Sequence, residues 1–554
     1  MELVCSNFEK EEEHMLGLIK SSDFISFDLE MTGIENDKNN IIIDTPENRY
    51  LKYKKTSEKY SIIQLGFTLF KQEKNINNIN NNNNKKASQI LYHCYPYNLY
   101  LFPNANDLKT LSQDNMNLEI KSMLFNRNGK IDFNKWINEG IYYLNQKQYR
   151  ELYKNITSNN INNDDFYMDT SILLRKPSDI ELAENIINEV KENFINVKTN
   201  ANSYIIDSMP KFLLYYIKKK LPNNLYYKEN YKMFRNWCTL ITRFNTKEEK
   251  DELYKNDVLG QLRELEHKKG VKKIIDAIFN KVWYGNQNID EKIINDNENK
   301  KNKKILIGHN MSLDLMFIVA NLGDSLPDEY LKFKKMIKNY FEYIYDTKLL
   351  FEEFKKNEIQ LYNNPLIKNI KSVLDNMYPY LKSRFGDLVK TEIKTRDEKF
   401  NDEQFHSAGY DSYITGLCFL YMKYGAKTGQ ILENNKNKIF FMNSLYKSMD
   451  LNKEKDEYIL DVDTPEENIF IFRGVKKASN INFENIFGKD LWNDSVIKII
   501  YDEKYNIIIA FTNFKKEVNE QNKTEFKIIA KTKTFNDIFT AFSLGEFRNK
   551  YMKN

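Results

Sequence analysis

Residues 24–34 read FISFDLEMTGI, and the two-residue repeat of a β-strand sorts them onto two faces. Ile25, Phe27, Leu29 and Met31 fall on an apolar face, while Phe24, Ser26, Asp28 and Glu30 fall on the other. Further strand patterns at 60–70 and 88–102 flank a polar, Asn-rich run at 75–86 that cannot bury enough surface to fold. The pattern predicts one hairpin with a swollen loop. Helical spacing recurs at 179–197, in a short segment from 208 that stops near Pro222, and over 250–283; a strand is expected at Leu225–Tyr227. Residues 305–319 read as a buried strand, a turn and a helix, preceded by a polar loop extension at 295–304. A long helix starts near Ala408, the charged run 452–467 reads as a linker, and 468–554 alternates β-rich runs with helices. That order suits a small α/β sandwich of roughly 80–100 residues.

At 554 residues the chain exceeds one hydrophobic core, so two or three domains are expected. A hydrophobic fraction of 41% beside 29% charged residues fits a soluble globular protein. No run approaches about 18 consecutive apolar residues and the start carries no basic-then-apolar leader, which reads as neither membrane-spanning nor secreted. Cys5, Cys94, Cys238 and Cys418 lack metal-ligand or CxxC spacing, as expected of reduced intracellular thiols without a zinc site. The 83 basic against 78 acidic residues leave a net charge of +5, too near balance to argue for nucleic acid by itself.

The candidate chemistry lies in three stretches. Asp28 and Glu30 on one strand face repel each other unless a cation stands between them or both are solvated. Asp314, in ILIGHNMSLDLMFIV, sits in an apolar helix and needs a partner, either a metal ion or a lysine. In FHSAGYDSYITGLCF, His406 precedes a helix whose first turn holds Asp411, where the helix dipole alone favours a carboxylate. Together the four carboxylates suit two Mg²⁺ ions, which take oxygen ligands and retain water and phosphate oxygens. Two ions about 3.5–4 Å apart activate an attacking water and stabilise the leaving oxygen of a phosphate displacement. A neutral histidine beside that water serves as general base near pH 7.

This set resembles the four-carboxylate-plus-histidine (DEDDh) superfamily of 3′→5′ exonucleases, in its histidine subtype because His406 stands five positions before Asp411 and position 407 is Ser407. SNFEKEEEHMLGLIKSSDFISFDLEMTGI, DTPENRYLKYKK, YSIIQLGFTLF, DFNKWINEGIYYLNQ, IGHNMSLDLMF, DTKLL and HSAGYDSYITGLCF are, in order, similar to the poly(A)-specific ribonuclease family. The likeness runs over roughly residues 1–450 and weakens between about 165 and 270.

The resemblance implies an α/β fold: a ribonuclease H-like DEDD exonuclease core with a mixed central sheet. A small inserted α/β segment stands in the place of the family's Arg-x-x-x-His nucleic-acid-binding domain, and an RRM-like sandwich closes the chain. The expected boundaries are 1–164 and 263–451 for the nuclease domain, 165–262 for the insertion and 468–554 for the RRM-like domain. It implies Asp28, Glu30, Asp314 and Asp411 as ligands of two Mg²⁺ ions, with Mn²⁺ as the alternative, and His406 as catalytic base. It casts Met31, Ile34, His309, Asn310 and Lys348 as substrate-binding residues: the first two against terminal bases, Lys348 near the scissile phosphate. The lysines at 218–220 are either RNA contacts or a solvated helix end. In the last domain Ile500 and Tyr501 replace the tryptophan with which the family stacks on the mRNA cap. The implied activity is poly(A) tail shortening with release of 5′-AMP, the alternatives being 3′-end trimming of small or noncoding RNA with weak adenine preference and an inactive nuclease-like RNA-binding scaffold. The implied partners are 3′ poly(A) or oligo(A) RNA and a second copy of the chain, and the implied location is nucleus and cytoplasm.

Overall fold

The alternation at 24–31 is a strand in the computed structural model, which describes residues 1–35, 42–73, 90–103, 116–158, 176–196, 202–233, 236–267, 270–279, 303–323, 325–362, 367, 369–394, 407–425, 429–442, 444–456, 469–474, 483–487, 490–491, 496–502, 507–512, 527 and 539–551. In chain order the strands are β1 (Glu2–Leu3), β2 (Phe24–Met31), β3 (Ile62–Gln72), β4 (Ile90–Pro103), β5 (Ile141–Tyr143), β6 (Ser203–Asp207), β7 (Leu225–Met233), β8 (Asn236–Arg243) and β9 (Ile305–Gly308). They continue with β10 (Tyr343–Asp346), β11 (Val389–Ile393), β12 (Lys438–Phe440), β13 (Ser448–Asp450), β14 (Ile469–Gly474), β15 (Val496–Asp502), β16 (Ile507–Thr512) and β17 (Phe539–Ser543).

Ten of these form a mixed sheet in the order β1-β4-β3-β2-β9-β10-β12-β13, with β5 and β11 also pairing with β4. β3 runs antiparallel to both of its neighbours, β2 and β4, whereas β2, β9, β10 and β12 run parallel. The expected hairpin is the β3–β4 pair; its Asn-rich loop lies outside the described residues, as does 295–302. Parallel strands need cover on both faces, and the sheet has it. Ile25, Phe27, Leu29 and Met31 pack with Met15 and Ile19 of helix Cys5–Ser21 and with Leu315 and Ile318 of helix Ser312–Leu322. Phe24 turns the other way, stacks on Phe70 at 4.5 Å and meets Ile414, Leu417 and Cys418 of helix Ala408–Gly425.

The chain divides into two compact units, 1–145 with 271–554, and 146–270. The smaller unit holds the antiparallel sheet β6-β8-β7, under which helices Pro177–Val190 and Lys211–Lys220 bury Ile187, Leu214 and Ile217. It reaches beyond the expected 165–262 because helix Gln146–Ser158 belongs with helix Lys247–His267, where the Tyr149 hydroxyl donates to Glu266 at 2.8 Å. Residues 469–551 cluster with the larger unit. Their antiparallel sheet, β15-β16-β14-β17, turns Phe470, Phe472 and Ile508 toward helix Phe483–Phe487, while Ile469, Ile471, Ile509 and Phe511 join the core that holds β2. The expected linker needs a correction at its start. Asp456 is buried, accepting from Lys334 Nζ and from the Asp450 backbone, each at 2.8 Å, and from the Tyr330 hydroxyl. Residues 457–467 lie outside the described residues. Among the described residues no helix is long and apolar enough to cross a membrane.

Candidate active site

The geometry begins with a missing side chain. Asp28 pairs across the antiparallel ladder with Gly66 of β3. A Cβ on Gly66 would stand 1.9 Å from the Ala408 carbonyl carbon, so only glycine lets helix Ala408–Gly425 start directly on the strand. The start is then tied down. Asn98 Oδ1 accepts from Gly409 N at 3.1 Å, Ser26 Oγ donates to Ser412 O at 2.6 Å, and the Ser412 and Thr68 hydroxyls meet at 2.9 Å. Asp411 therefore leaves the first helical turn beside Asp28. Carboxylate oxygens of Asp28, Glu30 and Asp411 lie within 4.8 Å of one another.

Asp314 reaches the same place from a parallel neighbour. β9 pairs with β2 as far as Ser26 opposite Ile307 and ends at Gly308. Asn310 then takes a positive φ of 56°, and helix Ser312–Leu322 starts with Asp314 in its first turn. Both Asp314 and Asp411 thus stand at helix N-termini, where the dipole favours negative charge.

Electrostatics mark the cluster. Burial pushes the Asp28 and Glu30 carboxyls well above the usual range, and the charges of Asp411 and Asp314 raise both further. Asp314 is pushed up to about 7, by burial first and then by Asp346. Among the described residues no lysine or arginine forms an ion pair with Asp28, Glu30 or Asp314. An all-oxygen, multiply negative, half-enclosed donor set fits hard divalent cations such as Mg²⁺ and Mn²⁺.

His406 lies outside the described residues, although Ser407, next in the chain, accepts from Asp411 N at 2.9 Å. The other predicted residues fall into two groups. Met31 and Ile34 follow Glu30 directly, Met31 buried and Ile34 partly exposed. His309, Asn310 and Lys348 gather at the ends of β9 and β10. His309 Nδ1 lies 3.0 Å from Thr347 Oγ1; burial and the Lys348 charge push its imidazole down to about 3, so the ring is neutral. Lys348 Nζ sits over the Phe440 ring, 4.7 Å from its centroid.

Sequence reasoning missed Asp346, which organises the second group. Fully buried, its Oδ1 accepts from Asn310 N at 2.9 Å and Lys348 N at 3.1 Å, and its Oδ2 from Met311 N at 3.2 Å and Phe440 N at 3.1 Å. The signal was present: an Asp ending an apolar strand directly before helix Thr347–Tyr362 stands where N-cap residues are favoured. Gly66 was missed as well, and no local pattern announces it.

The model of the CAF1 family ribonucleases matches residues 4–419. The chain is 26% identical over 444 residues to the poly(A)-specific ribonuclease PARN of Xenopus laevis, covering 76% of this chain and 62% of that protein. It is 26% identical over 515 residues to the PARN of Bos taurus, covering 84% and 71%. The pre-piRNA 3′-exonuclease trimmer of Bombyx mori is 25% identical over 435 residues, covering 76% and 70%. The chain thus spans less than two thirds of the length of the Xenopus relative. Among solved structures, Pop2p of S. pombe is 12% identical with a TM-score of 0.33, covering 79% of this chain and 98% of that one. With the match to the family model running over three quarters of its length, this chain belongs to the CAF1 family of ribonucleases.

Proposed function

We propose that this protein is a divalent-metal-dependent 3′→5′ exoribonuclease that shortens poly(A) tails or oligo(A) ends of RNA and releases 5′-AMP. One observation carries the reading: carboxylates from β2 and from helix Ala408–Gly425 converge within 4.8 Å in a ribonuclease-family chain. Asp28, Glu30, Asp411 and Asp314 would hold two Mg²⁺ ions, or Mn²⁺. Ions so bound supply charge to activate a water and stabilise the leaving 3′ oxygen. The chain's own groups do the rest. The His406 imidazole accepts the proton of the attacking water. Lys348 presents its ammonium to a backbone phosphate, and Ile34, backed by the core that holds Met31, offers apolar surface to the terminal bases. His309 and Asn310 shape the turn beside them. RNA with a 3′ adenosine tract is the substrate, two copies of the chain form the working particle, and the enzyme acts in nucleus and cytoplasm.

The likeness to the Xenopus and Bos poly(A)-specific ribonucleases supports adenine as the preferred base, and the likeness to the Bombyx trimmer supports a second reading, trimming of small-RNA 3′ ends. A 5′-labelled A₂₀ RNA, a U₂₀ RNA and a 3′-phosphorylated A₂₀ RNA, each incubated with Mg²⁺ and the protein, separate them. The proposal expects a one-nucleotide ladder on A₂₀ alone, blocked by the 3′-phosphate. Equal ladders on A₂₀ and U₂₀ would establish the trimming reading, and bound but uncut RNA would identify an inactive scaffold. Asp28→Asn should abolish cleavage while RNA binding persists; cleavage at the wild-type rate would refute the two-metal assignment.

A further inference from the structure

β2 leaves the sheet just past the carboxylates of Asp28 and Glu30, and the turn that follows, Thr32–Glu35, is held by Glu119, 85 positions beyond Ile34. Glu119 Oε2 accepts from Ile34 N at 2.9 Å, from Glu35 N at 3.1 Å and from Ser122 Oγ at 3.0 Å. Its own backbone N–H donates to Thr32 O at 2.8 Å. About two turns further along, in helix Ile120–Asn128, the buried Asn126 donates from Nδ2 to Met31 O at 3.0 Å. Glu35 takes a positive φ of 45°, unusual for a residue with a side chain, and its carboxylate pairs with Lys59. The turn is not a conformation that residues 32–35 would hold alone. Two consecutive N–H groups converge on a single point, the kind of concavity that binds an anion, and the Glu119 carboxylate fills it. The same helix buries the polar Ser122 and Asn126 and leaves Ile120, Leu124 and Phe125 exposed. Met123 is its apolar anchor, packed against the cluster of Ile63, Tyr100 and Trp136, and the polar clamp adds the ties that reach the turn.

We propose that Glu119 is a positioning residue for substrate, fixing the Thr32–Glu35 turn so that the partly exposed Ile34, backed by the core that holds Met31, presents its apolar surface to the 3′-terminal base. The inference rests on the exoribonuclease reading above, since it gives that turn its substrate. Burial acts to raise the Glu119 carboxyl, but the Ile34 and Glu35 N–H groups and the Ser122 hydroxyl outweigh it and hold the group below its usual range, so it stays ionised at neutral pH. Removing the acceptor releases the turn without touching Asp28, Glu30, Asp314 or Asp411. The defect therefore belongs in base seating and not in the chemical step.

Glu119→Ala and Glu119→Gln are compared with wild type by cleavage of A₂₀ and U₂₀ in Mg²⁺ and by fluorescence-anisotropy binding of A₂₀ in Ca²⁺. Glu119→Ala is expected to raise KM for A₂₀ about tenfold with kcat changed less than about threefold, to weaken binding by a similar factor, and to narrow the A₂₀:U₂₀ ratio of kcat/KM. Glu119→Gln keeps a carbonyl oxygen for the two N–H groups and should recover most of the loss. The A₂₀:U₂₀ ratio does not depend on how much of the sample is folded, so a destabilised Ala variant remains informative. An unchanged ratio with unchanged KM, or a loss confined to kcat, overturns the assignment. Wild type that cuts neither RNA would sink the exoribonuclease reading; the anisotropy arm still decides on Glu119, because equal binding by wild type and Glu119→Ala overturns it.

Discussion

Gly66→Ala adds a single methyl group, and the structure says where it goes. The new Cβ would lie 1.9 Å from both the carbonyl carbon and oxygen of Ala408 and 2.3 Å from Gly409 N. These are backbone atoms, so no rotamer change relieves the overlap. Ordinary carbon contacts begin at about 3.5 Å, so strand and helix must separate by about 1.5 Å. That movement falls on the turn carrying Asp411, whose carboxylate stands within 4.8 Å of those of Asp28 and Glu30. A misplacement of about 1 Å costs on the order of 100-fold in catalysis, and overpacking costs about 1–3 kcal/mol in stability. Gly66→Ala is therefore expected to fold with a Tm lower by several degrees while A₂₀ cleavage falls at least about 100-fold. Gly429→Ala is the control, since a Cβ there meets nothing within 4 Å. Differential scanning calorimetry and single-turnover cleavage provide the readouts. Wild-type cleavage and Tm in Gly66→Ala would refute the claim that close approach of this helix builds the site.

Two further outcomes follow from buried ionisable groups. His309 is held neutral, its folded pKa near 3 against 6.5, so the unfolded chain takes up that proton first as pH falls. Its contribution to stability is thus full above about pH 6.5 and is lost as pH drops from there toward 3, by up to about 1.4 kcal/mol per pH unit; denaturant titrations should show wild type steeper than His309→Gln between pH 6.5 and 4.5, and identical slopes would contradict the burial argument. Asp456 and Lys334 form an enclosed pair at 2.8 Å, with side chains 1% and 3% exposed. Asp456→Ala leaves the ammonium stranded and should cost about 3–5 kcal/mol, whereas a double change to well-packed apolar residues should cost much less; equal losses would show that the pair itself carries the stability.

Much of the site was legible because strand alternation and helix position are local properties. Asp28 and Glu30 share a face by spacing alone, and Asp314 and Asp411 each follow a strand-turn-helix or capping pattern readable within about ten residues. What escaped depends on partners far along the chain. Gly66 matters only because Ala408 lies on it, more than three hundred positions later, and Asp456 looked like linker because Lys334 and Tyr330 are invisible to a local reading. The membership of helix Gln146–Ser158 in the smaller unit is non-local in the same way, since it shows through Tyr149 and Glu266.

Asp346 shows why such a site sits where it does. Parallel strands β9, β10 and β12 end together, and the chain departs from each in a different direction, leaving N–H groups without a ladder partner. Four of them, from Asn310, Met311, Lys348 and Phe440, converge on one side chain. An ionised carboxylate is the only small group that offers acceptors alone; asparagine would turn its NH₂ against two of the donors. Burial raises the Asp346 carboxyl despite those four bonds, so the anion is maintained at a cost. That cost has a local consequence, because the Asp346 charge is what lifts Asp314 beyond the effect of burial. The group that ties the strand ends together therefore also increases the negative potential at Asp314, which a divalent cation held there would relieve. Under the proposed two-metal reading, strand-end closure and cation affinity are one electrostatic problem, because the structural carboxylate acts directly on a proposed ligand.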